Sequence, residues 1–394
     1  MNSKNRESND LSEDLSLNEK DAEPVHVDLS FSERQLRQYK RTKHVHGLHP
    51  YLGKFIPQLA EYFLARYFQK GDLVVDPFVG SGTTLVEANI RDINSIGVDI
   101  SEFNCLLSKV KTQEYDMALL SKELTDSISR LVAFAKQRPN GYVPPTEIHQ
   151  SIPESFSKWF SKKSIDELLY FREIIDDYTY SDALRILLSR CARSARQIFH
   201  FELDHPKGPV KEPYYCYKHR KICTPCMDAL PFFKRYVKDM TKRIGQFQKL
   251  RGDASVDIVH DDSRTYDFPD NISGVFTSPP YFGLIDYHEQ HSYAFDLLGL
   301  TDKSEKEIGS KSLGLNDTSK RLYIQGITDV LRNLSEKLAE NADVFIVVND
   351  TQDLYKDIAK QAEMKIIQRI ARKVDRRTGL RGKAYSEEIL HLRS

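Results

Sequence analysis

Apolar residues come along this chain in two rhythms. Short apolar runs, each closed by an acid or a turn, predict buried strands at 71–76, 94–100, 253–262, 274–276, 343–348 and 388–392. Between them, apolar positions recur three and four residues apart, the helical spacing. A helix is predicted over 57–68, where Leu59, Tyr62, Phe63 and Tyr67 share a face and Pro57 sits in the first turn. Others are predicted from Leu85, over 286–300 (closed by Gly299), over 321–339, and through 155–200, where Phe156, Trp159, Leu168, Phe171, Leu184 and Leu187 mark a core face. Strands that alternate with helices predict an α/β fold with a mostly parallel sheet.

Composition narrows this. The chain has 394 residues, 40% hydrophobic and 29% charged, with no apolar run long enough for a membrane span. The N-terminus lacks the apolar segment of a secretory signal. Five cysteines, an odd number, make no disulfide framework, so a reducing cytoplasm is expected. Residues 1–30 hold eight acidic and three basic residues and almost no aromatics, which predicts a disordered acidic tail. Net charge is zero, but from 185 to 251 there are sixteen Lys/Arg against five Asp/Glu, with Phe199, Phe201, Tyr214, Tyr215 and Tyr217 interleaved. A basic, aromatic stretch inside a neutral chain is the footprint of a nucleic-acid face, or else a solvated charged surface.

Two loops carry candidate chemistry. After the strand ending at Asp76 comes Pro77-Phe78-Val79-Gly80-Ser81-Gly82-Thr83-Thr84, then a helix, then a strand ending in Asp99. A strand, a glycine-rich turn, a helix and a second strand with a terminal acid suit a nucleoside ligand at the carboxyl edge of a parallel sheet. Glycine lets the backbone approach the ligand, and the acid can accept both ribose hydroxyls. The pattern is neither G-x-G-x-x-G nor a P-loop. Asp261 or Asp262, at the end of another strand, could receive an adenine amino group. The second loop is Thr277-Ser278-Pro279-Pro280-Tyr281. Two prolines stop the strand and stiffen the turn. A hydroxyl, fixed carbonyls and an aromatic ring then lie together, as is needed to hold a planar group bearing an amine. A proline-rich turn with an incidental tyrosine is the alternative.

Three further clusters are open to more than one reading. His44, His46 and His49 suit a basic aromatic loop lining a pocket or, less readily, a metal site without an acidic ligand nearby. Cys216, His219, Cys223 and Cys226, spaced C-x2-H-x3-C-x2-C, could hold tetrahedral zinc or be free thiols. Residues 373–383, with Arg372, Arg376, Arg377 and Arg381 around Gly379 and Gly382, suggest a basic hairpin-like loop for phosphate contact. Residues 303–320 suggest a mobile loop over the site.

Taken together, Asp76–Thr84 and Thr277–Tyr281 resemble the DNA amino-methyltransferases of restriction–modification systems. The T-S-P-P-Y form resembles the cytosine-N4 branch; the adenine-N6 branch more often carries Asp or Asn before the prolines. Gly53-Lys54-Phe55-Ile56-Pro57 is similar to the family's N-terminal cofactor motif. The resemblance covers 44–112 and 253–394 well and the middle poorly. It implies an S-adenosylmethionine-dependent, Rossmann-like methyltransferase fold of seven strands, one antiparallel. It divides the chain into 31–112 (cofactor binding), an inserted, largely helical target-recognition region over 113–250, and 251–394 (catalytic loop). S-adenosyl-L-methionine would be held by Lys54, Phe55, Asp76, Phe78, Gly80, Ser81, Gly82, Thr83, Asp99 and Asp261. Ser278, Pro279, Pro280 and Tyr281 would act on the N4 amino group of a flipped cytosine in double-stranded DNA, with a cognate restriction endonuclease as genetic partner. An adenine-N6 enzyme, an RNA or protein amino-methyltransferase, and a non-catalytic nucleoside-binding module are the competing readings.

Overall fold

In the computed structural model, residues 29–30, 36–137, 142, 144, 153–203, 206–283, 287–310, 312, 314–374 and 385–394 are described. The acidic tail over 1–28, most of the turn-rich stretch after 137 and the basic loop over 375–384 lie outside them.

The chain runs α1 (Gln38–Arg41), α2 (Pro57–Tyr67), β1 (Leu73–Asp76), α3 (Thr83–Asn89), β2 (Asn94–Asp99), α4 (Glu102–Thr112) and α5 (Met117–Gln137). Then come α6 (Lys162–Ile174), α7 (Ser181–Ala195), a hairpin of β3 (Tyr214–Cys216) and β4 (Lys221–Cys223), and α8 (Leu230–Gln248). The last part is β5 (Val256–His260), β6 (Ile272–Thr277), α9 (Tyr287–Leu298), α10 (Asp317–Ser335), β7 (Leu338–Val348), α11 (Leu354–Gln361), β8 (Lys365–Val374) and β9 (Tyr385–Arg393).

Seven strands form one sheet in the order β5-β2-β1-β6-β7-β9-β8. Only β9 is antiparallel to its neighbours. β1 and β6 are adjacent and parallel, Val74 opposite Gly274 and Val75 opposite Val275. The two candidate loops, two hundred residues apart in sequence, therefore leave the same sheet edge side by side.

Alternation along each strand sends side chains to both faces. Val74, Phe276 and Phe345 meet α2, whose Phe63 ring lies 4.7 Å from that of Phe345. Val75, Val275 and Val344 meet Ile327, Val330 and Leu331 of α10 on the other face. Each fully buried Leu or Phe here contributes about 1.5–3 kcal/mol. The basic stretch over 185–251 is mainly α7, the hairpin and α8. Its apolar side shares one core with α4, α6 and α9 through Leu187, Phe233, Ile244, Phe103, Leu107, Phe171 and Leu297. Part of its positive charge is paired internally, Arg190 and Arg243 both with Asp239, and Arg185 with Asp176 and Asp182.

Two expectations at the C-terminal end need correction. The helix expected over 321–339 begins at Asp317, because Asn316 and Ser319 form a reciprocal capping box, and it ends at Ser335, where β7 takes over three residues later. Arg372 is not a phosphate contact. It sits in β8, only 3% exposed, paired with Glu387 of β9 at 2.9 Å.

Candidate active site

At the carboxyl edge of β1, β2 and β6 lies a cavity with about 820 Å³ of empty space, open solvent included. Its walls include Lys54, Phe55, Asp76, Phe78, Gly80, Ser81, Thr83, Asp99, Asp262, Ser278 and Pro280. Most residues singled out in the sequence thus meet in one place.

The glycine-rich turn is shaped by two left-handed residues with different jobs. Gly80 (φ +47°) faces the cavity, and a Cβ there would come within 3.0 Å of the Tyr51 hydroxyl. Gly82 (φ +72°) is not a wall residue. It lets α3 pack on α4, where a Cβ would come within 2.8 Å of Ser108 Oγ.

Asp99 is fixed by three donors. Gly80 N donates to Oδ2 at 2.8 Å, Ser101 N to Oδ1 at 2.9 Å, and Asn104 Nδ2 to both oxygens at 3.2 Å. Asp76 is 1% exposed and accepts from Thr277 Oγ1 at 2.6 Å and from Phe78 N at 3.2 Å. Burial pushes its carboxyl up to about 6, against the pull of those donors. The Asp76–Thr277 bond ties the first loop to the second. Asp261 does not line the cavity; its carboxylate turns to accept the N–H of Asp262 at 2.7 Å. Asp262 is the wall residue, clamped by Arg264 at 2.6 Å.

The polar inventory fits an amino-acid-bearing nucleoside. Ser81 Oγ and Thr83 Oγ1 are buried in the wall without hydrogen-bond partners. Lys54 donates to the His46 carbonyl at 2.7 Å, and burial lowers its pKa to about 8. Lys111, fully buried on α4, donates to the Ser81 carbonyl and is likewise lowered by burial. Lys54, a wall residue, has no carboxylate partner among the described residues and suits an anion, whereas Lys111 supports the turn without lining the cavity. Sequence reasoning missed Lys111, although a lysine between Val110 and Thr112 on the buried side of a helix was a visible anomaly.

The 277–281 loop is held from three sides. Ser278 Oγ donates to the Val347 carbonyl of β7 at 3.0 Å. Tyr323 Oη donates to the Pro280 carbonyl at 3.0 Å. Tyr281 Oη donates to Glu387 Oε1 at 3.2 Å, so the buried Arg372–Glu387 pair fixes the ring. That pair was invisible in the sequence, because both residues look like ordinary edge-strand charges.

The histidine cluster is not a basic loop. His44, His46 and His49 are all buried, and desolvation lowers each, His44 to about 3. An acid does lie nearby in space. Glu87 of α3 contacts His46 Nε2 at 2.9 Å, but Lys43 and Arg91 also pair with it, so its charge is already met. Of the 303–320 stretch, Lys306, Glu307 and Ile308 reach the cavity wall.

A seven-stranded, mostly parallel sheet with one antiparallel strand, a glycine-turn cavity and a rigid S-P-P-Y loop on adjacent strands define a methyltransferase of the Rossmann-like class. The DNA methylase family profile matches residues 2–110. The Type II methyltransferase M.MjaII of Methanocaldococcus jannaschii is 39% identical over 93% of this chain and 83% of its own length. The Type II methyltransferase M.BsoBI of Geobacillus stearothermophilus is 24% identical over 71% of this chain and 58% of its own. The chain belongs to the Type II DNA methyltransferase family, the DNA-methylating enzymes of restriction–modification systems, and its methyl donor is S-adenosylmethionine. Among solved structures, the rRNA methyltransferase aviRa from Streptomyces viridochromogenes aligns at a TM-score of 0.35 with 12% identity, covering 87% of this chain and 88% of its own. TrmN from Thermus thermophilus aligns at 0.34 with 11% identity, covering 87% and 50%. Likeness of that order says nothing about the substrate. No described helix is long and apolar enough to cross a membrane.

Proposed function

We propose that this enzyme methylates the exocyclic N4 amino group of cytosine at a specific double-stranded DNA sequence. The observation that carries the reading is the state of Ser278. Its one hydroxyl proton is committed to the Val347 carbonyl, so only lone pairs remain to face an amine at the cavity wall. A short hydroxyl in place of Asp or Asn is the feature that favours cytosine over adenine.

S-adenosylmethionine supplies a methyl group on a positively charged sulfur. Asp99 would accept the ribose hydroxyls, and the Ser81 and Thr83 hydroxyls with Lys54 would receive the amino-acid end, with Lys111 holding the Ser81 carbonyl in place. Phe55 and Phe78 would flank the apolar part, and Asp262 would take the place expected for Asp261 near the adenine. The target base leaves the duplex stack to reach the site. Ser278 Oγ and the Pro279 carbonyl accept its two amine hydrogens, which draws the nitrogen lone pair out of conjugation and aims it at the methyl. The nitrogen would take the methyl as the carbon–sulfur bond breaks, its electron pair staying on sulfur to leave a neutral thioether, and one proton would pass from the nitrogen to solvent. Pro280 is held by Tyr323, which keeps the Pro279 carbonyl in place. Tyr281 stacks on the base; with 8% of the residue exposed, neighbouring side chains must give way as the base enters. Orientation supplies most of the rate.

The 113–250 region would read the target sequence, and a cognate endonuclease cutting the same sequence would be the genetic partner in the cytoplasm. Mass spectrometry of nucleosides from DNA methylated by the purified enzyme tests the proposal. N4-methylcytosine is expected; N6-methyladenine without it overturns the cytosine assignment. Sequencing of the same DNA gives the site.

A further inference from the structure

We propose that His200, Cys216, His219 and Cys223 form a structural zinc site that locks the β3–β4 hairpin to the end of α7. The ligand atoms of these four residues all lie within 4.8 Å of one another. Cys216 Sγ is 3.6 Å and Cys223 Sγ 3.4 Å from His219 Nδ1. Zinc at about 2.3 Å from sulfur and about 2.0 Å from nitrogen makes a tetrahedron with sulfur–nitrogen edges of about 3.5 Å. The side chains are thus already at ligand spacing. His200 Nδ1 is buried without a hydrogen-bond partner, and its ring lies 4.9 Å from that of His219.

The donor set differs from the one the sequence spacing suggested. Cys226 Sγ donates to the Asp228 carbonyl at 3.3 Å and stands outside the cluster. Its place is taken by His200, sixteen residues before Cys216, a partner that no local spacing rule reveals. Two thiolates and two imidazoles, with no carboxylate, select zinc among the common divalent ions. Four protein ligands close the coordination shell, so the site is structural.

The hairpin needs such a tie. Its strands have three residues each, and an isolated two-stranded hairpin is marginal in water. Tyr215, Tyr217 and Ile222 are exposed, and Cys216 and Cys223 are its buried residues. A turn with Arg220 in the left-handed region (φ +53°) brings His219 back over the two cysteines. Phe199 packs edge-on against Tyr214 at 4.7 Å and Phe201 against Tyr217 at 5.9 Å, and one ion bound from both strands, the turn and the 196–203 segment would close the inner side, where Cys216 and Cys223 are buried.

The test uses the full chain, purified without a metal-affinity tag. Elemental analysis is expected to give about one zinc per chain. His200→Ala, Cys216→Ser and Cys223→Ser should each lose it, and Cys226→Ser should keep it. Because a variant could fail to fold, the unmodified chain is also exchanged into cobalt. Thiolate charge-transfer bands with the intense visible bands of a tetrahedral ion support the site. Zinc below about a tenth of an equivalent, a Cys216–Cys223 disulfide in the isolated protein, or Cys226→Ser losing zinc as Cys216→Ser does would overturn it.

Discussion

Asp76 is the buried carboxylate on which the two loops meet, and replacing it by asparagine gives a pH-dependent prediction. An aspartate has an ordinary value of 3.8, and in the fold burial raises this one to about 6. The folded state therefore holds the proton more tightly than the unfolded chain. Asp76 costs nothing below pH 3.8 and becomes a penalty as pH rises through 6. A rise from 3.8 to about 6 corresponds to about 3 kcal/mol. Asparagine cannot ionise, so the variant escapes this penalty. Its Oδ1 can still accept from Thr277 and Phe78, while its amide hydrogens gain no assured acceptor, a pH-independent cost of about 1–2 kcal/mol. Relative to the unmodified chain, Asp76→Asn should be less stable at pH 4, level near pH 5, and more stable by about 1–2 kcal/mol at pH 8. Urea melts of both proteins across pH 4–8, without added methyl donor, give the difference directly. A stability difference that does not change with pH would refute the assignment of a raised carboxyl to Asp76. Methyl transfer should fall at every pH, since the variant loosens the wall shared by both loops.

Two further substitutions test the other loop. Ser278→Ala removes the acceptor proposed for the target amine, and methylation should fall about 100-fold while methyl-donor binding, followed by calorimetry, stays within about twofold; equal loss of both would mean that Ser278 only shapes the cavity. Arg372→Met strands Glu387 as a buried charge, so thermal or denaturant melts should show a loss of about 3–5 kcal/mol, much of it recovered by pairing it with Glu387→Gln; unchanged stability in the single variant would show that the pair does not anchor Tyr281.

The strands around the site were legible because each is a short apolar run ending in a chemically distinct residue, Asp76, Asp99 or Thr277. Both loops were legible because glycine and proline act locally on the backbone. What escaped depended on distant partners. Arg372 reads as one more cation on a charged strand until Glu387 is seen across from it. Lys111 reads as a helix surface lysine until Ser81 closes over it. Asp261 and Asp262 are adjacent acids, and only the turn after β5 decides which one faces the cavity. His200 meets Cys216, His219 and Cys223 through the fold of the insert, a neighbour that the local C-x2-H-x3-C-x2-C pattern does not show, while Cys226 turns to the Asp228 carbonyl.

The position of β9 has a consequence for how the protein is made. Strands β7 and β8 leave the ribosome before it, yet neither pairs with the other; β9 slides between them and runs the opposite way. Until it arrives, both present open edges that invite pairing with other nascent chains. Because Glu387 rides on β9, the strand that joins β7 to β8 is also the one that seats Tyr281. Insertion of β9 between β7 and β8 and seating of the Tyr281 ring are therefore one event: without that strand in the sheet, the 277–281 loop lacks one of its three anchors.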